Sequence, residues 1–243
     1  SFLGYATHGL LDACTSYGTQ LFWPFSNERV TWNNISIVDP LFTIPILILV
    51  GTAIKTRKKL FSFFAIGWAT FYLSLGFVQY ERALSTAIEL AHSRGHNAER
   101  LTLKPSFGNL ILWKSIYQHE EKFYVDAIRT VRSSTWCSGE NIRMFDYQYH
   151  LPSLDKDSQQ RKDIERFRWF SQDYLGFDKE ENLVTDVRYS MIPNQIAPMW
   201  GLVIDDQKDI NEHAIWWTSR SLDQSQLDLF KEMLSGKKCR NRS

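Results

Sequence analysis

His8 and Asp12 stand four residues apart in the mostly apolar run Phe2-Leu-Gly-Tyr-Ala-Thr-His-Gly-Leu-Leu-Asp-Ala13. On a helix this spacing stacks both side chains on one face, a turn apart. An imidazole and a carboxylate so arranged are suitable ligands for a divalent ion such as zinc or manganese. A carboxylate among Leu10, Leu11 and Ala13 is costly unless it is paired, protonated or metal-bound. The structural alternative has Asp12 accepting hydrogen bonds from neighbouring hydroxyls, with His8 a donor. Asp39 immediately precedes Pro40 at the entrance to an apolar segment, the pattern of a helix N-cap. In the functional reading its carboxylate turns toward His8 and Asp12, as a further ligand or as the catalytic group that orients a metal-bound water. Three residues do not close such a site, so this reading requires further ligands from helices upstream.

The elements that would position these residues are apolar. Pro40–Ile54 and Leu60–Tyr80 carry no charge and are separated only by Lys55-Thr-Arg-Lys-Lys59. The second stretch is long enough, at about 1.5 Å per residue, to cross a bilayer core of about 30 Å. Phe2–Gln20 is read as another segment, its polar residues facing a bundle interior. Phe22-Trp-Pro-Phe25 and Trp32 supply interfacial aromatics. A mean hydropathy of −0.31 for the whole chain averages this region with a charged remainder and does not veto it. The expected fold is an α-helical membrane region of about three visible segments (residues 1–82), lacking helices upstream, followed by a soluble α+β domain with antiparallel strands (83–235) and a polar tail (236–243). The basic turn favours the cytoplasmic side. Three alternating segments then give a multi-pass membrane protein, its large domain periplasmic or extracellular.

In the polar part, Leu110–Gln118 and Lys122–Val131 read as a hairpin turning at Glu120-Glu121. Further strands are expected at Val184–Met191, Met199–Val203 and Ala214–Thr218. Ala83–His96, Gln159–Trp169 and Leu222–Leu234 read as helices. Asp146, His150, Asp186, Arg188 and His213 are chemically capable but scattered. Phe167, Trp169, Phe170 and Trp216-Trp217 either line a groove or fill a core. His119-Glu120-Glu121 lacks the second histidine of a zinc-protease helix, and no phosphate loop or nucleophile elbow occurs. A net charge of +1 without a basic stripe argues against nucleic acid as a partner. Of three cysteines, only Cys137 and Cys239 are candidates to pair, which requires an oxidising compartment.

The run His8-Gly-Leu-Leu-Asp12 through Gly18 to Trp23-Pro-Phe25, followed by Ile37-Val-Asp39-Pro40, resembles the bacterial membrane-bound metal-dependent hydrolases, also described as LexA-binding inner-membrane-associated hydrolases. Asn109–Trp113 and Val187-Arg-Tyr189 are similar to a subgroup with a polar tail, so the resemblance extends over most of the chain, as the C-terminal portion of such a protein. It implies a metal-dependent hydrolase of a bacterial inner membrane with His8 and Asp12 on the metal and Asp39 as the Asp-Pro element, without identifying a substrate; a site near the interface suggests a lipid-like one or a phosphoester. Membrane lipids, the missing helices and a protein partner would be its contacts. The competing expectation is a non-enzymatic, membrane-anchored protein-binding module. Transport is disfavoured, since no inverted repeat is visible.

Overall fold

The computed structural model describes residues 2–237 and 239–241. Ser1, and Lys238, Arg242 and Ser243 of the expected tail, lie outside the described residues. Three helices come first: α1 (Phe2–Ala13), α2 (Pro40–Thr56) and α3 (Lys59–Ser93). An α+β region follows, with β1 (Arg100–Pro105), β2 (Leu112–His119), β3 (Lys122–Thr130), β4 (Ser134–Cys137), β5 (Asn141–Arg143), α4 (Tyr147–His150) and α5 (Gln159–Phe170). It closes with β6 (Leu175–Asp178), β7 (Leu183–Asp186), β8 (Trp200–Val203), β9 (Ile215–Thr218), α6 (Gln224–Ser235) and β10 (Arg240–Asn241). One antiparallel sheet has the order β1-β2-β3-β4-β10, with β5 also pairing to β3; the second runs β6-β7-β8-β9.

α3 is the principal element. It holds 35 residues, about 52 Å at 1.5 Å per residue. Leu60–Tyr80 and the helix expected from Ala83 are therefore one rod, because Glu81 and Arg82 are charged helix formers with no Gly or Pro to break the turn. Its first part presents Phe63, Phe64, Ile66 and Phe71 outward. Its last part is buried against the first sheet: Ala83, Ala87 and Ala91 form a row of small residues one turn apart, with Leu90 beside them, packed near Leu103, Trp113 and Ile128. The short alanine side chains let the helix lie close to the strands. Gln79 donates to Leu110 O (3.2 Å) and Thr130 O (2.9 Å), fastening the rod where it meets the sheet.

The expected multi-pass topology is not what the structure supports. Among the described residues, α3 is the one helix long and apolar enough to cross a membrane. α1 has 12 residues and α2 has 17, about 18 and 25 Å against a core of about 30 Å. The multi-pass topology and the periplasmic or extracellular placement of the large domain rest on three alternating spans, and they fall with that count.

The hairpin appears as expected, with His119 opposite Lys122 and Glu120 at a positive φ of 52°. α5 and α6 begin on side-chain caps, Ser158 accepting from Arg161 N and Asp223 from Gln226 N. Val184–Met191 is shorter than expected because the Asp186 carboxylate accepts from Arg188 N at 3.1 Å, turning the chain out of β7. A second core joins α5 to the second sheet through Ile164, Phe167, Leu175, Val184 and Leu202. Cys137 and Cys239 are joined as a disulfide, and Cys14 is a buried free thiol.

Candidate functional site

His8 and Asp12 meet as their spacing requires. His8 Nε2 lies 3.3 Å from Asp12 Oδ2, with the side chains 70% and 47% exposed. The pair thus faces outward from α1 rather than into protein. Asp39 is elsewhere engaged. Its Oδ1 accepts from Leu41 N (3.1 Å) and Phe42 N (3.2 Å), and Tyr72 Oη lies 2.9 Å from both carboxylate oxygens. It is the N-cap of α2 and ties that helix to α3. Among the described residues no three His, Cys, Asp or Glu side chains converge as metal ligands. His8 and Asp12 stand as a pair, with no third such side chain beside them among the described residues.

Chemistry-bearing residues gather instead in a cleft of about 510 Å³, within the range of ligand pockets. Three parts of the chain build it. The α1–α2 segment contributes Tyr17 and Arg29. α5 contributes Asp163, Arg166, Phe167 and Phe170. The second sheet and its loops add Asp186, Arg188, Tyr189, Trp200, His213 and Trp216. Tyr189 and Trp200 pack with ring centroids 4.7 Å apart, and Tyr17 joins them at 5.5 and 6.2 Å. Phe167 meets Trp216 edge-on at 5.8 Å.

The polar groups are held tightly. Arg188 makes a forked pair with Asp186 (Nε–Oδ1 2.9 Å, Nη2–Oδ2 2.7 Å) and donates to Phe170 O and Gln172 Oε1. Burial opposes the Arg188 charge, but the Asp186 carboxylate outweighs it and holds the guanidinium above its ordinary pKa. Asp163 accepts from His213 Nδ1 at 2.9 Å, from Gln159 and from Ala214 N. These bonds overcome a burial penalty and hold its carboxyl below the usual range. Beneath the cleft, buried Lys104 donates to Ser16 O (3.0 Å) and Tyr189 Oη (3.3 Å), while Tyr189 Oη donates to Ser16 O at 2.7 Å. Burial first, then the Arg188 charge, holds the Lys104 ammonium well below its ordinary pKa. This polar joint seats the α1–α2 segment on the α+β region.

Asp186, Arg188, His213, Phe167, Phe170 and Trp216 were visible as isolated candidates; Tyr17, Arg29, Asp163, Arg166, Tyr189 and Trp200 carried no local signal of a site. Their convergence depends on pairings between segments far apart in sequence. Asp146 and His150 form a local cap, Asp146 N lying 3.0 Å from His150 Nδ1, away from this cleft.

A helix long and apolar enough to cross a membrane, continuing as the core helix of an α+β unit, supports a membrane-associated protein. Residues 1–83 match a family model described as YdjM inner membrane protein. The chain is similar to that family over this N-terminal region alone, less than half of its 243 residues. This corrects the expected resemblance to the C-terminal portion of a metal-dependent hydrolase over most of the chain. Asn109–Trp113 and Val187–Tyr189, the marks of a polar-tailed subgroup, lie outside the match. Asn109 Oδ1 caps Ile111 N and Leu112 N, and Tyr189 braces the cleft, so their roles here are local. No curated protein and no solved structure matches the chain.

Proposed function

We propose that this chain is a membrane-anchored binding module whose cleft receives a ligand at the membrane surface. The observation that carries this reading is the continuity of α3: one helix supplies both the apolar anchor and the buried row Ala83, Ala87 and Ala91 under the first sheet. Anchor and binding unit then move as one body, and the cleft keeps a fixed attitude to the bilayer. The test is alkaline carbonate extraction of membranes containing the full chain. Retention in the pellet is expected; release into the supernatant would overturn the anchored reading.

A second reading is a metal-dependent hydrolase of unknown substrate. It is supported by the apposition of His8 Nε2 and Asp12 Oδ2 at 3.3 Å, with the remaining ligands supplied from outside the described residues. Metal analysis of the purified chain beside a His8→Ala/Asp12→Ala variant tests it. A bound divalent ion lost in the variant supports it, and equal, negligible metal in both rejects it.

A further inference from the structure

We propose that the occupant of the cleft is an anionic phospholipid, its phosphate held by Arg29 and Arg166 and its acyl portion laid along the aromatic wall. This rests on the binding-module reading and names its ligand.

The charge balance favours an anion. Both carboxylates of the cleft are already engaged, Asp186 in an ion pair with Arg188 and Asp163 in hydrogen bonds with His213, Gln159 and Ala214 N. They offer little repulsion to a second negative group. The Arg166 side chain, exposed on α5, makes no hydrogen bond or ion pair among the described residues. Arg29 is oriented through Nη2, which donates to Tyr17 O at 2.7 Å, while its guanidinium lies 5.6 Å from the Phe170 ring centre. Its Nε and Nη1 hydrogens have no partner among the described residues and are left for a ligand. A guanidinium with donors to spare suits a phosphate.

Position favours a lipid over a free anion. The segment carrying Arg29 also carries Trp23 and Phe25, which are 67% and 95% exposed, as aromatics are at a membrane interface. That segment is docked at the end of the apolar part of α3. Asn34 Nδ2 donates to Leu73 O at 3.2 Å, and Trp32 packs 6.4 Å from Phe77. Trp200, Leu202 and Trp216 then give the cleft the apolar surface that an inorganic phosphate cannot use.

The test is native mass spectrometry of the full chain in mild detergent, with phosphatidylglycerol, phosphatidylcholine or inorganic phosphate added. One retained phosphatidylglycerol is expected, with tenfold or weaker retention of phosphatidylcholine and no displacement by inorganic phosphate. Arg29→Gln/Arg166→Gln should lower phosphatidylglycerol retention at least tenfold. Arg166→Gln alone, on an exposed side chain, should lower it severalfold and serves if the double variant misfolds. Equal retention of the two lipids, retention unchanged by Arg166→Gln, or displacement by inorganic phosphate would each overturn the proposal. Because the readout is made in detergent, it stands apart from carbonate extraction, and either result can fail alone.

Discussion

The Asp39 carboxylate faces the Tyr72 hydroxyl at 2.9 Å through both oxygens while capping the first turn of α2. One buried group thereby ends a loop, starts a helix and links it to the next. Removing it as Asp39→Ala loses the cap, worth about 1 kcal/mol, and leaves the Tyr72 hydroxyl without its acceptor, a further cost of about 1–3 kcal/mol. Tyr72→Phe should cost less, and the double variant less than the sum. A coupling of about 1.5–3 kcal/mol, as for hydrogen bonds to charged groups, should appear in a double-mutant cycle by equilibrium unfolding in detergent. Strict additivity would show that the contact contributes nothing.

Lys114 gives a pH dependence of definite sign. It is buried, donating to Ser190 Oγ (2.8 Å) and Gln195 O (2.7 Å). Burial, partly offset by Glu140 and Asp186, brings its pKa down from 10.5 to about 7. Between these values the unfolded chain holds a proton that the folded chain has released. Stability from this group therefore rises with pH across the window, by at most about 1.4 kcal/mol per pH unit, and is lost as pH falls through about 7. Lys114→Met should remove that slope. Parallel stability–pH curves for the two proteins from pH 7 to 10 would exclude the effect.

Local features were legible in the sequence because their causes are local. The Asp39-Pro40 cap, the hairpin at Glu120-Glu121 and helices α5 and α6 depend on neighbouring residues. The extent of α3 was not legible, since a charged pair at Glu81-Arg82 ends the apolar stretch without ending the helix. The cleft was hidden for a different reason. Arg29, Asp163 and Trp200 acquire meaning only when three segments are brought together, and each alone resembles an ordinary loop, helix or strand residue. His8 and Asp12 were read correctly as neighbours, but spacing alone does not tell which way a helix face points.

The far end of α3 is fixed by another buried charge. Arg94 donates to both oxygens of Asp126 at 2.7 Å, and Asp126 Oδ1 also accepts from Gly139 N. Asp126 is almost wholly buried. Arg94→Ala strands its charge and should cost about 3–5 kcal/mol, as when one partner of a buried pair is removed. Arg94→Lys should fall between, because an ammonium cannot reproduce the planar fork. Chemical unfolding of the three proteins measures the order. Arg94→Lys as damaging as Arg94→Ala would show that geometry, rather than charge, holds the joint.

Two glycines of α3 should respond in opposite directions to the same substitution. A Cβ on Gly76 would sit 2.2 Å from Asn34 O and 3.1 Å from Asn34 C, whereas one on Gly67 meets nothing within 4 Å. The neighbour at Gly76 is backbone and cannot rotate away. Gly76→Ala must therefore lift Asn34 from the helix, weakening its bond to Leu73 O, at a cost of about 1–3 kcal/mol for overpacking. Gly67→Ala meets no obstacle and gains helix propensity, up to about 1 kcal/mol. Limited proteolysis adds a local readout: Gly76→Ala should expose the segment between α1 and α2 to cleavage, and Gly67→Ala should not. Since that segment carries Tyr17 and Arg29 into the cleft, Gly76→Ala should also weaken ligand retention without touching a cleft residue. Equal melting temperatures and equal cleavage of both variants would mean that the segment is not seated on α3 at Asn34.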